Sequence, residues 1–188
     1  RQENLDDSRE LARLMNVLNH LSKPVIGLVQ GAAFGGAVGL AACCDIVLAT
    51  DKASFCLSEV KLGLIPAVIS PYVVRAIGER QARRYFLSAE VFTAKQAQEY
   101  GLVHIVCDDV EAMDARCNEM LQQLAINGPE AMKAAKDLVF AVSHKPISAD
   151  VIDDTAQRIA DIRVGAEGQE GLGAFLNKRK ANWVPEEE

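Results

Sequence analysis

Residues 31–39 read GAAFGGAVG, and this glycine-rich stretch decides how the chain around it folds. The apolar run that precedes it, residues 25–29 (VIGLV), is bounded by proline and glycine and is typical of a buried strand. Residues 40–44 (LAACC) follow and favour a short, closely packed helix. The pattern therefore predicts a strand, a glycine turn and a helix, in that order.

The rest of the chain predicts strands early and helices late. Apolar residues at positions 11, 14, 15, 18 and 21 have helical spacing, which predicts a helix before the first strand. Further strands are predicted at 45–49, 53–57 and 103–106. Further helices are predicted at about 71–77, 79–87, 93–100, 109–127, 129–143 and 148–167, and near 170–181. This order predicts a single α/β domain with a helical tail.

The composition excludes several classes of protein. The chain has 188 residues, 49% of them hydrophobic and 24% charged, which is ordinary for a globular domain. Its net charge of -6 argues against a nucleic-acid partner, which would need clustered Lys and Arg. The longest apolar stretch, residues 38–44, is far too short to span a membrane, and the polar residues 1–10 do not resemble a secretory signal. We therefore expect neither a nucleic acid nor a membrane as partner.

The cysteines and histidines predict neither disulfides nor a metal site. Cysteine occurs at positions 43, 44, 56, 107 and 117, an odd number with no C-x-x-C pair. The histidines, at positions 20, 104 and 144, have no metal-ligand spacing. Buried, reduced thiols in a reducing compartment are expected instead. The sequence therefore predicts a cytoplasmic protein that binds no metal.

The glycine turn has more than one interpretation. A dinucleotide-binding fingerprint would need glycine where the chain has Phe34, and the signatures of a P-loop and of a hydrolase nucleophile elbow are absent. An oxyanion hole is compatible, because the N–H of Gly36 can approach a carbonyl oxygen and stabilise its developing charge. Loss of one such donor costs roughly 2.7–4 kcal/mol of transition-state stabilisation. The other interpretation is that the glycines only allow strand and helix to pack tightly.

Motifs along almost the whole chain resemble those of one enzyme family. They are residues 23–27 (KPVIG), 31–37 (GAAFGGA), 44–46 (CDI), 53–55 (ASF), 58–66 (SEVKLGLIP), 75–78 (RAIG), 94–97 (AKQA), 100–103 (YGLV) and 175–182 (FLNKRKAN). In this order they resemble the enoyl-CoA hydratase/isomerase (crotonase) family. The resemblance implies an α/β fold of the crotonase-like type, a ββα spiral with a C-terminal helical region.

The resemblance also implies how the chain is organised. Residues 1–125 would form a partial spiral core, and residues 126–188 a C-terminal helical region for trimerisation. The family assembles as homotrimers or as dimers of trimers, which we expect here as well. Its members begin with further strands and with a loop that supplies a first oxyanion N–H. That loop does not occur in these residues, so we expect an N-terminal part to be missing.

Functional roles implied by the resemblance fall on individual positions. Gly36 matches the second oxyanion N–H, and Glu59 matches one of the two glutamates that hydratases use as acid and base. Seven further positions would bind the acyl-CoA substrate, namely Phe34, Gly35, Gly39, Pro66 and Ala67 near the acyl group, and Phe175 and Lys178 at the adenine or phosphate end of coenzyme A. Coenzyme A is part of the substrate, so no separate cofactor is implied.

One departure from the family pattern bears on the chemistry. Hydratases usually have a second glutamate where this chain has Gly39. Two carboxylates suit hydration, because one deprotonates water while the other protonates the α-carbon. One carboxylate suffices to move a proton between the α- and γ-carbons. A glycine at position 39 would also open space and remove repulsion next to a substrate with its own distal carboxylate.

A second departure points to a subgroup of the family. Residues 66–72 (PAVISPY) replace a glycine-rich stretch, and the combination resembles the methylglutaconyl-CoA hydratase-like subgroup. The leading prediction is therefore hydration of a branched or carboxylated α,β-unsaturated acyl-CoA, as in leucine degradation, acyclic terpene breakdown or fatty acid metabolism. The alternatives are a Δ3-Δ2 enoyl-CoA isomerase with Glu59 as single base, and a non-catalytic acyl-CoA-binding homologue.

Overall fold

The computed structural model describes residues 1–185, which form two compact units. The first unit is Arg1–Asn118, and the second begins at Glu119.

The helices that begin in the first unit are α1 (Gln2–Asn19), α2 (Gly36–Cys43), α3 (Ser70–Ser88), α4 (Ala94–Tyr100) and α5 (Val110–Ala125), with a 3-10 helix at Glu59–Leu62. The strands are β1 (Ile26–Val29), β2 (Ala32–Phe34), β3 (Ile46–Thr50), β4 (Ser54–Cys56), β5 (Phe92–Thr93) and β6 (Ile105–Cys107). The second unit continues with α6 (Pro129–Val142), α7 (Ala149–Val164) and α8 (Ala166–Leu176).

Two small sheets organise the first unit. In one sheet β3 lies between β1 and β6 and runs parallel to both. In the other β4 lies between β2 and β5, parallel to β2 and antiparallel to β5. Phe34 at the end of β2 pairs with Cys56 at the end of β4, so the residues that follow the two strands leave the sheet at the same edge. This register places the glycine turn beside the 3-10 helix.

An aromatic cluster anchors β4 in the core of the first unit. The rings of Phe55 and Phe92 stack at a centroid distance of 5.5 Å, and Tyr85 packs on Phe92 at 4.5 Å. Phe55 and Phe92 are fully buried, and each such side chain stabilises the fold by roughly 1.5–3 kcal/mol. The Tyr85 hydroxyl, which would otherwise be buried without a partner, lies 3.1 Å from the hydroxyl of Tyr100. The strand that leads to the 3-10 helix is thus held firmly.

His104 extends the pairing of β3 with β6. Its backbone N–H donates to the Val47 carbonyl at 2.8 Å, and its ring Nδ1 accepts from the Val47 N–H at 3.0 Å. The ring therefore carries its hydrogen on Nε2 when neutral. This contact gives His104 a structural role, as expected for histidines without ligand spacing.

The predicted and observed elements agree closely in the first unit. The strands predicted at 25–29, 45–49, 53–57 and 103–106 are confirmed as β1, β3, β4 and β6. The two helices predicted on either side of Gly78 are confirmed as the two parts of α3, because Gly78 between them has non-helical backbone angles (φ 75°, ψ 158°). The short strands β2 and β5 and the 3-10 helix were not predicted. Within residues 1–185, no helix combines the length and the apolar character needed to cross a membrane.

Candidate functional site

The glycine turn is held at both of its ends. Gly35 has φ 54° and ψ -117°, a conformation that residues with a side chain rarely adopt. Its N–H donates to the Cys56 carbonyl at 2.9 Å, which ties the turn to the end of β4. Its carbonyl accepts from the Val38 N–H at 3.0 Å and begins α2. The turn is therefore a rigid link between strand and helix.

Gly36 offers a backbone donor at the start of α2. It is the first residue of the helix, and its N–H has no acceptor among residues 1–185. The residue is exposed, and a Cβ added to it would meet nothing within 4 Å. The N–H groups of a helix N-terminus carry partial positive charge and bind anions or developing negative charge. Gly36 thus has the properties expected of an oxyanion donor.

The carboxylate of Glu59 lies against the glycine turn. Glu59 begins the 3-10 helix, and its Oε1 would be 3.1 Å from a Cβ placed on Gly35. Its other oxygen, Oε2, is buried and has no hydrogen-bond partner among the described residues. Buried polar atoms are nearly always hydrogen-bonded, because an unpaired one costs free energy. A carboxylate kept in this unpaired state is a candidate for a functional role rather than a structural one.

Several apolar side chains close to Glu59 and Gly35 in the chain are exposed. Phe34 ends β2 and is 47% exposed, and Leu62, Leu64 and Ile65 follow Glu59 with exposures of 76%, 60% and 73%. Gly63 (φ 71°) turns the chain here, and the Leu64 N–H donates to the Glu59 carbonyl at 3.0 Å. Of the next two candidates, Pro66 is buried and Ala67 is exposed. The segment around Glu59 thus exposes mainly apolar side chains, which suits contact with an acyl chain.

The expected open space at Gly39 is not present. Gly39 is buried, and a Cβ placed on it would lie 2.6 Å from Cβ of Ile69 and 3.3 Å from Cε of Met15. Its prediction as a position that makes room for a substrate carboxylate is therefore wrong, because Ile69 fills that room. Ile69 was not among the residues predicted for the site, although residues 66–72 depart from the glycine-rich pattern of the family.

Two groups near this contact, one buried and one half-buried, have raised pKa values. Burial, together with the neighbouring Cys44 thiol, raises the pKa of Cys43 to about 12. Burial also raises the pKa of Tyr72, with a smaller contribution from Cys43. Both groups are therefore protonated at neutral pH, and Cys43 is no nucleophile there. Glu59, in contrast, places a carboxylate directly against the glycine turn.

Phe175 and Lys178 belong to the second unit. Phe175 lies near the end of α8 and is 80% exposed, and Lys178 follows the helix with φ 53°. The segment around them is held by Arg179, which donates two hydrogen bonds to Glu170 at 2.6 and 2.7 Å. Arg179 and the Asn182 N–H lower the pKa of Glu170 to about 2. Both predicted coenzyme A contacts are exposed on an ordered segment.

Comparison with known proteins identifies the family. The sequence model of the family described as enoyl-CoA hydratase/isomerase matches residues 2–186, and the chain belongs to that family. An enoyl-CoA hydratase of Alternaria alternata is 35% identical over 92% of this chain. The 2,3-dehydroadipyl-CoA hydratase of Escherichia coli is 34% identical over 93% of this chain and 68% of its own length. The chain spans 58% of the length of the Alternaria relative.

Solved structures agree on the fold. The crystal structure of an enoyl-CoA hydratase from Shewanella pealeana superposes with a TM-score of 0.93 at 53% sequence identity, covering 97% of this chain and 68% of that one. The predicted crotonase-like α/β fold and the family are thereby confirmed. The subgroup, the roles of the site residues and the trimerisation role of residues 126–188 stay predictions.

Proposed function

We propose that the protein hydrates the double bond of an α,β-unsaturated acyl-CoA thioester, with Glu59 as its side-chain acid and base. The observation that carries this proposal is the position of the Glu59 carboxylate. It lies against Gly35, one residue from the helix N-terminus, with a buried oxygen that has no partner among the described residues. A base next to a backbone donor suits a reaction that passes through an enolate.

The N–H of Gly36 would stabilise the enolate. When water adds to the β-carbon, electron density moves onto the thioester oxygen, which becomes an oxyanion. A donor aimed at this oxygen is worth more in the transition state than in the ground state, which lowers the barrier. The positive end of α2 adds to the effect.

A single carboxylate can complete the proton transfers. Glu59 takes a proton from water as the water oxygen bonds to the β-carbon. The protonated carboxyl then returns that proton to the α-carbon of the enolate, so atoms and charge balance with no second acid. The contact between Gly39 and Ile69 favours this route, because it leaves no room for a carboxylate at position 39.

The same contact favours isomerisation as a second candidate function. In a 3-enoyl thioester, Glu59 would remove a proton from the α-carbon and return it to the γ-carbon, which moves the double bond. This reaction needs one base, one oxyanion donor and no water. The apolar residues Leu62, Leu64 and Ile65 beside the carboxylate suit it equally.

A branched or carboxylated acyl group is the proposed substrate class, with a methylglutaconyl-like thioester of leucine degradation as the specific candidate. The relative from Escherichia coli is named for a dehydroadipyl thioester, which carries a distal carboxylate. Position 39 carries no charge that would repel such a group. Phe175 and Lys178 would contact coenzyme A, and residues 126–188 would join copies of the chain into a homotrimer or a dimer of trimers.

Absorbance of the conjugated thioester separates the candidates. The full-length protein is mixed with crotonyl-CoA, with methylglutaconyl-CoA and with a 3-enoyl-CoA, in separate experiments. Hydration lowers the absorbance of the first two, isomerisation raises that of the third, and a non-catalytic acyl-CoA-binding protein changes none. The Glu59→Gln variant is the matched control, and full activity in that variant would remove Glu59 from the mechanism.

A further inference from the structure

We propose that Gly35 is a positioning residue, whose lack of a side chain sets the place of the Glu59 carboxylate beside the glycine turn. The inference rests on the proposed function, in which Glu59 is the acid and base. It assigns Gly35 a role different from the substrate contact predicted from the sequence.

The distance between the two residues is the first support. A Cβ on Gly35 would lie 3.1 Å from Oε1 and 3.6 Å from Cδ of Glu59. Carbon and oxygen atoms in ordinary contact lie at about 3.5 Å or more. Any side chain at position 35 would therefore push the carboxylate away by a few tenths of an ångström.

The rigidity of the turn is the second support. The N–H of Gly35 is bonded to Cys56 and its carbonyl to Val38, at 2.9 and 3.0 Å. The backbone therefore has hydrogen bonds to lose if it moves, whereas the Glu59 side chain rotates about several single bonds. The carboxylate, not the turn, would give way.

The unequal surroundings of the two carboxylate oxygens are the third support. Oε1 lies against the glycine, while Oε2 is buried without a partner among the described residues. One side of the carboxylate thus meets the glycine turn, and the other meets protein atoms that exclude water. A group added at position 35 therefore leaves the carboxylate little room.

Gly35→Ala tests the inference, with Gly78→Ala as its matched control. Both glycines have positive φ, 54° and 75°, so both substitutions strain the backbone. A Cβ at Gly78 meets nothing within 4 Å, whereas one at Gly35 meets the Glu59 carboxylate. We expect Gly35→Ala to lower kcat about tenfold with little change in KM, since displacement of a catalytic group slows the chemical step. We expect Gly78→Ala to leave kcat unchanged.

A double variant separates displacement of the carboxylate from damage to the neighbouring Gly36 N–H. Aspartate is shorter than glutamate, so Glu59→Asp withdraws the carboxylate from position 35. We expect Gly35→Ala to cost far less in kcat in the Glu59→Asp background than in the wild type. An equal cost in both backgrounds, or an equal loss of kcat in Gly78→Ala, would overturn the positioning role.

A spectroscopic measurement tests the inference independently of turnover. In protein labelled with 13C at the glutamate carboxyls, the resonance that disappears in Glu59→Gln belongs to Glu59. We expect it to shift in Gly35→Ala and not in Gly78→Ala, and an unchanged resonance in Gly35→Ala overturns the inference. If the wild type acts on no enoyl thioester, the proposed function fails, and this resonance alone decides the role of Gly35.

Discussion

The side chain of Ile69 fills the space that a side chain on Gly39 would need, since a Cβ on Gly39 would lie 2.6 Å from Cβ of Ile69. Ile69 is 3% exposed and belongs to the main hydrophobic core of the first unit. Its side chain thus takes the volume that a second carboxylate would need. The chemistry proposed for the site depends on Glu59 alone for this reason.

Gly39→Ala is expected to lower the free energy of unfolding by about 1–3 kcal/mol, because overpacking a core forces its neighbours out of place. Gly36→Ala is the matched control in the same helix, since its Cβ meets nothing within 4 Å. We expect that control to be neutral or to stabilise by about 0.4–1 kcal/mol. Urea unfolding measures both values.

Ile69→Ala is expected to remove most of the cost of Gly39→Ala when the two are combined. The coupling energy of this double-mutant cycle measures the contact directly. Additive effects would show that Ile69 does not fill the space beside Gly39.

Glu59→Gln is expected to lower kcat at least 100-fold, the usual order for loss of a general acid–base group. Affinity for acyl-CoA, measured by calorimetry, should stay the same because the side-chain shape is kept. The variant should be at least as stable as the wild type, since the buried Oε2 has no partner among residues 1–185 to lose. Glu79→Gln, at an exposed position of α3, is the control. A Glu59→Gln variant that keeps a tenth of the wild-type rate contradicts the assignment.

Glu167→Ala is expected to destabilise the second unit by about 1–2 kcal/mol. The Glu167 carboxylate accepts from the N–H groups of Glu130 and Ala131 at 2.9 and 2.8 Å and thus caps α6. Glu167→Gln should cost less, because the amide keeps an acceptor but loses the charge. Asp153→Asn, at an exposed position of α7, is the control. If it lowers the unfolding free energy as much as Glu167→Ala does, capping is not the cause.

The pair of Glu170 and Arg179 is expected to make stability depend on pH in acid. The pKa of Glu170 is lowered to about 2 from 4.5, so the folded state binds the proton less readily than the unfolded state. The stabilisation is therefore fully present above pH 4.5 and is lost as the pH falls towards 2. In Glu170→Gln this part of the acid dependence should disappear. If wild type and variant differ in unfolding free energy by the same amount at pH 5 and at pH 2, the prediction is contradicted.

Cys43 is expected to resist alkylation in the folded protein at pH 8. Burial and the neighbouring Cys44 raise its pKa to about 12, so almost none of the reactive thiolate forms. Cys117, which is only partly buried, should react faster. Mass spectrometry after brief iodoacetamide treatment measures both, and equal labelling of the two residues would contradict the prediction.

Local patterns made most of the fold predictable. Residues 25–29 and 45–49 are apolar runs with clear ends, and both are strands. Only β3 is mostly buried as such a run predicts, whereas Leu28 of β1 is 43% exposed. The strand β2 escaped prediction because Ala32 and Ala33 have little preference for strands and lie among glycines. Its extended conformation depends on pairing with β4, which the local sequence does not contain.

Contacts between residues far apart in the chain limit how much of the site can be predicted from the sequence. The sequence pointed to Gly36 and Glu59 through a family resemblance, and both lie at the glycine turn or against it. The pairs formed by Gly35 with Glu59 and by Gly39 with Ile69 join residues far apart in the chain. A single sequence carries no periodic signal for such pairs, so the space at Gly39 was predicted wrongly.

The parallel register of β2 with β4 fixes how this region can vary in length. Phe34 and Cys56 are paired, so the chain from β2 to Gly36 and the chain from β4 to Glu59 must each keep a constant number of residues. An insertion in either segment would move Gly36 and Glu59 apart. Residues 65–67 follow the hydrogen bond from the Leu64 N–H to the Glu59 carbonyl, so they can lengthen, shorten or change type without disturbing that spacing. Under the proposed function, new acyl specificities can evolve there while Gly36 and Glu59 keep their places.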